Sequence, residues 1–411
     1  MEFHVIMNIL CRFTGQLWIY TEGNKAITFV FREWVLNSRG NEAFFLMFNE
    51  LAKSFPMRRG RNPGNGDDGG QAVETTVKDA KKNDMILKSS GFVKAEGSYN
   101  LASVFSKRGR KGVNQDCAIV WEEFGCQPDM LFCGVFDGHG PWGHFVAKKV
   151  RESMPSSLLR NWQDTLAGVS LDPDMDLESN KKHQRFHIWK HSYLKTCAAV
   201  DHELEQCRKI DSFHSGTTAL TIVRQGDIIY VANIGDSRAV LATNSDDGTL
   251  VPVQLTIDFK ANLPLEAERI IQCKGRVFCL DDEPGVHRVW LPNKESPGLA
   301  MSRAFGDYCI KDYGLISVPE VTQRHITNKD QFVMLATDGV WDVVSNEQAV
   351  QVVSSTQDKA NAAKRLVEFS ARAWKKKRKG IAMDDISAIC LFFHSCSLSQ
   401  HEVNLVTTLK S

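Results

Sequence analysis

Aspartates placed where apolar runs meet turns are the residues of this chain best suited to chemistry. Asp137 closes the run Leu131–Phe136 and opens Asp137-Gly138-His139-Gly140. Asp236 stands in Ile234-Gly235-Asp236-Ser237, Asp338 precedes Gly339 after another apolar run, and Asp384 sits beside Asp385 ahead of Ile386. Asp116 comes just before Cys117. Short apolar runs bounded by turn residues read as buried strands, so each carboxylate falls at a strand end. Strand ends that share one rim would gather these side chains into a small volume, where they repel unless neutralised. Hard divalent cations bound through oxygen, Mg²⁺ or Mn²⁺ rather than zinc, are the natural counter-charge. Gly138 offers a bare carbonyl oxygen, and His139 a proton donor two residues from Asp137. A solvated turn accounts for any one such Asp taken singly; the matching context at distant places favours the metal reading.

The elements that must position them follow from periodicity. Residues from Ser98 to Gly109 read as an edge strand, and Cys117 onward as the next. Trp142–Leu159 and Phe186–Cys207 have helical spacing of apolar positions. Ala219 onward reads as alternating strands joined at Gln225-Gly226-Asp227 and again at Ile234–Ser237, so consecutive hairpins and an antiparallel sheet are expected. Asn262 with Pro264 starts a helix, and Gly275–Gly298 reads as an irregular insertion holding Trp290. Phe332–Gly339 forms a strand, Asn346 caps a short helix, Asp358–Trp374 makes a longer one, and Ile386–Phe393 closes the domain as a strand. Strands with helices in pairs between them indicate an α+β fold, with helices packed outside antiparallel sheets.

At 411 residues the chain can bury a large core, and 43% hydrophobic with 24% charged residues is ordinary for a globular protein. A net charge of +1 gives no case for nucleic acid or membrane as partner. The 11 cysteines are odd in number and scattered, which favours reduced thiols and an intracellular setting, cytoplasm or nucleus. Residues 1–91 read as an apolar N-terminal extension and a Gly-rich linker, Gly60–Gly70, with partial disorder expected. Residues 92–395 read as the catalytic domain and 396–411 as a tail. Charged residues interrupt the N-terminal apolar runs before any reaches the length of a membrane helix.

The chain resembles the metal-dependent serine/threonine protein phosphatases of type 2C, in their plant-type form. The resemblance rests on Val113–Asp116 (VNQD), Val135–Gly140 (VFDGHG), Ser215–Ala219 (SGTTA), Ala232–Val240 (ANIGDSRAV), Leu299–Asp307 (LAMSRAFGD), Leu335–Val343 (LATDGVWDV) and Asp384–Ser387 (DDIS), in the family's order. It implies a β-sandwich of two antiparallel sheets flanked by pairs of helices, with a binuclear metal site at one end. It implies two Mg²⁺ or Mn²⁺ ions held by Asp137, the Gly138 carbonyl, Asp338 and Asp384, and a third, weaker ion at Asp236. His139 matches the general acid; Lys111 and Asp116 are further catalytic candidates. The implied activity is hydrolysis of phosphoserine and phosphothreonine in proteins by a metal-activated water, with no phosphoenzyme. Phosphoproteins are the implied substrates, protein kinases further partners, and a monomer the expected state. The alternative is a weakly active scaffold of the same shape that binds a phosphoprotein or kinase.

Relatives often carry Arg at Lys111 and Glu at Gln115. Lys keeps the charge without the bidentate fork, and Gln removes an anionic contact at the second metal, so lower affinities are expected there. Trp290 lies where relatives carry a flap; plant members that pair with abscisic acid receptors have a tryptophan in that region, but its neighbours here do not match, so packing or substrate contact is expected. Lys375–Lys379 is expected to be a solvated helix terminus rather than an import signal. His183, His187 and His191 are expected to form a polar helix face rather than a metal site.

Overall fold

The computed structural model describes residues 92–93, 102–168 and 178–394, so the expectations for residues 1–91 and 395–411 lie outside the described residues. Its strands are β1 Phe92–Val93, β2 Ala102–Lys107, β3 Cys117–Glu122, β4 Met130–Phe136, β5 Gly138–His139, β6 Gly216–Thr217, β7 Ala219–Gln225, β8 Ile228–Ile234, β9 Arg238–Asn244 and β10 Leu250–Gln254. They continue with β11 Arg276–Phe278, β12 Arg288–Trp290, β13 Pro297–Leu299, β14 Phe305–Gly306, β15 Glu320–His325, β16 Asp330–Ala336 and β17 Ile386–Phe392. The helices are α1 Gly143–Gly168, α2 Glu178–Glu205, α3 Pro264–Gln272, α4 Tyr308–Lys311, α5 Asp338–Trp341, α6 Asn346–Ser354 and α7 Ala362–Lys377.

One sheet runs β1-β3-β4-β7-β8-β15 and the other β10-β9-β16-β17-β2. Pairing is antiparallel throughout both, except that the two-residue β1 lies parallel to β3. Strand periodicity explains the layering, because alternate side chains point to opposite faces. Val120, Val135, Ile222 and Val231 of the first sheet meet Leu241, Leu335 and Ile389 of the second in the sandwich core. Ile119, Phe132 and Tyr230 face the other way and pack on Val150, Leu158, Trp189 and Tyr193 of α1 and α2. Met334, Ala388 and Cys390 do the same against Val350 of α6 and Leu366 and Trp374 of α7. With both faces covered, β4, β8 and β17 are buried along their whole length, which is why β4 reads as a nearly continuous apolar run and why β8, expected to alternate, has no solvent face. Each fully buried large apolar side chain contributes about 1.5–3 kcal/mol. The expected α+β sandwich with paired flanking helices is what forms.

Several local expectations are corrected. The turn at Gly235–Ser237 is no hairpin: β8 belongs to the first sheet and β9 to the second. Gly235, at φ 100°, lets the chain cross between the leaves. The insertion is not irregular, since β11-β12-β13 form a small antiparallel sheet over α3; strands of three residues are too short to show a period. Trp290 is buried, stacks on Phe278 at 5.1 Å and donates its indole N–H to the Phe278 carbonyl, so its role is packing. Leu263, not Asn262, precedes α3, and Ser345, not Asn346, caps α6 through a reciprocal bond with Gln348.

Candidate metal centre

Both sheets bring acidic residues to one end of the sandwich. Asp116 precedes β3 and Asp137 follows β4, both of the first sheet; Asp338 follows β16 and Asp384 precedes β17, both of the second; Asp236 lies in the crossover between them. The main chain at Asp137 is pinned on both sides, its N–H donating to Thr218 Oγ1 at 3.0 Å and its carbonyl accepting from Thr218 N at 2.9 Å and Thr217 Oγ1 at 3.0 Å. Thr337, next to Asp338, donates its hydroxyl to Asp116 Oδ2 at 3.0 Å and accepts from the Ser387 N–H, tying β16 and β17 to the residue ahead of β3.

The carboxylates feel one another. Burial pushes Asp116 up to about 7, with Asp385 and Asp384 adding to the rise. Burial also raises Asp137 well above the usual carboxylate range, followed by the charges of Asp116, Asp338, Asp384 and Asp236. Asp338 is raised in the same way, by burial and then by Asp236 and Asp384. Asp342, a carboxylate the sequence did not single out, is also raised by burial, and Asp236 and Asp384 add to it.

Two ammonium groups answer this charge. Lys111 Nζ donates to Asp384 Oδ2 at 2.5 Å, and Lys260 Nζ donates to Asp236 Oδ2. Burial alone would lower both lysines; Asp384 for Lys111 and Asp236 for Lys260 outweigh it and raise them. Even so, the buried Asp116 Oδ1 and Asp236 Oδ1 have no hydrogen-bond partner. Such atoms are costly where they stand. Among the described residues no group of three or more His, Cys, Asp or Glu side chains stands in ready-formed ligating geometry. The donor set, carboxylates with orphaned buried oxygens and no thiolate, fits a hard divalent cation.

Asp384 and Asp385, adjacent in sequence, do different work. Asp385 accepts the main-chain N–H groups of Gly109 at 2.7 Å and Gln115 at 2.8 Å, stapling the loop that carries Lys111 to the start of β17. Gln115 donates its side-chain amide to the Gly140 carbonyl at 2.8 Å. A carboxylate could not make that bond, so the neutral amide of Gln115 closes the Asp137–Gly140 segment.

Gly138 and His139 form β5, not a bare turn. β5 pairs with β6, and β6 with β14, so three separated motifs build one small sheet. A Cβ on Gly138 would lie 2.5 Å from the Gly143 carbonyl and 2.6 Å from that of Gln115. Across this sheet His139 Nε2 lies 2.6 Å from Asp307 Oδ2, with the histidine 21% and the aspartate 3% exposed. Burial lowers the imidazole, but Asp307 more than compensates, and the net shift is upward. Asp307 was missed as a functional residue because its partner is 168 positions away. Lys260 was missed because nothing in its local sequence marks it as a partner of Asp236.

Other candidates fall outside the site. His183, His187 and His191 are exposed on α2, consistent with a polar face. Lys375–Lys377 end α7 in solvent, where Lys377 Nζ donates to the Val343 carbonyl and Arg378 lies 3.8 Å from Asp342.

The family model for protein phosphatase 2C matches residues 103–377. Over 371 residues the chain is 67% identical to "Probable protein phosphatase 2C 73" of Arabidopsis thaliana, spanning 89% of this chain and 99% of the relative. It is 58% identical to "Probable protein phosphatase 2C 48" of Oryza sativa subsp. japonica, spanning 84% and 96%. Among solved structures, the serine-threonine phosphatase 2C from Toxoplasma gondii superposes with a TM-score of 0.63 at 26% identity, covering 71% of this chain and 94% of that one. The order of the motifs, the two-sheet sandwich and the carboxylate rim thus agree with sequence and structural similarity alike: the chain belongs to the protein phosphatase 2C family, the metal-dependent serine/threonine protein phosphatases.

Proposed function

We propose that the carboxylate rim is the active site and that Asp137, the Gly138 carbonyl, Asp338 and Asp384 hold two Mg²⁺ or Mn²⁺ ions, with Asp236 serving a third and weaker one. The observation that carries this reading is the mutual field of Asp116, Asp137 and Asp338 at the end of the sandwich, where the buried Asp116 and Asp236 each keep one oxygen without a partner. Bound there, the ions supply a water acidic enough to act as nucleophile near neutral pH, and they neutralise charge on the phosphoryl oxygens.

The protein's own residues do the rest. Lys111, half exposed on its loop, leaves Asp384 and grips a phosphate oxygen. Asp116, fixed by Thr337, lies at the floor of the rim and keeps Asp137 in a strongly negative field. His139 directs its Nε2–H at Asp307 Oδ2, 2.6 Å away, so the carboxylate holds the ring in place. Asp307 keeps the ring charged, and the departing serine or threonine oxygen takes the proton from Nδ1, the ring nitrogen left without a partner. An alkoxide is a strong base and leaves poorly without it. The substrates on this reading are phosphoserine and phosphothreonine segments of proteins, with protein kinases as further partners. The described cysteines are free thiols, which supports an intracellular setting, and no described helix is long and apolar enough to cross a membrane. A monomer is proposed.

The test is hydrolysis of a phosphothreonine peptide with Mn²⁺, with chelator, and in Asp137→Ala. Turnover should need the metal and fall by at least 10²-fold in the variant, an order-of-magnitude expectation for loss of a metal ligand. Equal rates with chelator would exclude the mechanism, and negligible turnover even with Mn²⁺ would leave the scaffold reading.

A further inference from the structure

The strand that brings Asp307 to His139 is held from behind by a side chain remote from the carboxylate rim. β14 is only Phe305–Gly306 and pairs with the equally short β6. Ladder bonds over two residues fix such a strand weakly. Asp201 lies near the C-terminal end of α2 and is 14% exposed. Its Oδ1 accepts the Gly306 N–H at 3.0 Å and the Tyr308 hydroxyl at 3.2 Å. Its Oδ2 accepts Lys311 Nζ and Ser317 Oγ, both at 2.9 Å, and its main-chain carbonyl accepts the Tyr308 hydroxyl at 2.5 Å. The residues immediately before and after Asp307 are therefore both fastened to one carboxylate. Lys311 reinforces this by donating to the Ala304 carbonyl at 2.9 Å.

We propose that Asp201 is a positioning residue for the His139–Asp307 pair: through Gly306 and Tyr308 it sets where the Asp307 carboxylate meets the imidazole, and so makes α2 part of the proton-donating apparatus. The proposal rests on the general-acid role given to His139 above. A pair that must hold a 2.6 Å contact tolerates little drift, since displacement of about 1 Å in a catalytic group can cost on the order of 10²-fold in rate.

The test uses leaving groups, because a merely structural role would not distinguish them. p-Nitrophenyl phosphate releases a stable anion and needs no general acid, whereas a phosphothreonine peptide releases an alkoxide. Both are assayed with Mn²⁺ on the full chain for wild type, His139→Ala, Asp307→Ala and Asp201→Ala. Exchange of the Gly306 amide hydrogen is followed in parallel. Asp201→Ala should keep aryl phosphate turnover within about threefold of wild type and lose about tenfold in kcat on the peptide with KM unchanged, a fraction of the 10²–10⁴ a general acid supplies. The Gly306 amide should exchange faster. Asp201→Asn, which keeps an oxygen facing Gly306, should recover part of the peptide rate. Should Asp201→Ala fail to fold, Asp201→Glu, which shifts the carboxylate by one methylene, is read by the same criteria. Parallel loss on both substrates, or no loss on either, beside a selective His139→Ala overturns the proposal. A non-selective His139→Ala overturns the general-acid reading beneath it.

Discussion

Gly216 stands at the crossing of the small sheet, and adding one methyl group there should disable the proton donor while sparing the fold. A Cβ at this position would lie 2.6 Å from His139 Nε2 and closer still to Asp307 Oδ2. That is about 0.8 Å short of the 3.4 Å at which ordinary contact begins. The Phe305 carbonyl, also at 2.6 Å, blocks escape on the other side. The imidazole and the carboxylate must therefore part, losing a charge-assisted bond worth about 1.5–3 kcal/mol. Overpacking of this kind costs about 1–3 kcal/mol of stability, which a domain of this size survives. With the donor displaced by most of an ångström, turnover of a phosphothreonine peptide by Gly216→Ala should fall by about 10²-fold. The assay is Mn²⁺-dependent phosphate release, read beside a thermal melt showing that the variant is folded. A folded Gly216→Ala protein within about threefold of wild type would refute the claim that this glycine makes room for the pair.

Other expectations follow from the charges. Burial holds Asp116 up at about 7 in the folded metal-free protein, against an ordinary 3.8, and Asp137 and Asp338 are raised as well. The folded state therefore binds more protons than the unfolded one, and metal-free stability should fall as pH rises from about 4 through 7; added Mg²⁺ should restore more melting temperature at pH 8 than at pH 5, and an equal gain at both would contradict the shifts. Asp137→Asn should raise the metal-free melting temperature while abolishing metal-dependent turnover, because it removes one of the repelling charges; a lower melting temperature counts against the repulsion. Glu266 is buried and receives Arg303, Arg269 and Ser302. Burial acts to raise its carboxyl, yet the two guanidinium groups bring it down to about 2. Its contribution is thus complete above pH 4.5 and lost as pH falls through 2, and Glu266→Gln, tested by urea denaturation at pH 7, should cost about 3 kcal/mol. Lys111→Arg should lower KM for phosphopeptides by restoring a bidentate grip, which steady-state kinetics would show; an unchanged KM would mean that this side chain does not touch the phosphate.

The carboxylate rim was legible in the sequence because each Asp follows or precedes an apolar run, and a strand's end is a place that periodicity can find. The sandwich was legible for the same reason. What was hidden lies where structure is too short to have a period or where partners are far apart. β5, β6 and β14 are two residues each, so the sheet that joins His139 to Asp307 leaves no pattern. Asp384 and Asp385 look alike on paper, yet successive residues point to opposite sides, and one faces the rim while the other binds main-chain N–H groups. The turn at Gly235 resembled a hairpin because sequence reports the bend and not which sheet receives the next strand.

That same bend decides what an ion in the rim would do mechanically. Asp137 hangs from one leaf of the sandwich, Asp338 and Asp384 from the other, and Asp236 from the ribbon that passes between them. An ion shared by these residues is therefore a rivet driven through two plates, and its departure should free their edges to gape. Hydrogen exchange at this end, compared with the far end, would register the rivet's presence without any substrate being turned over.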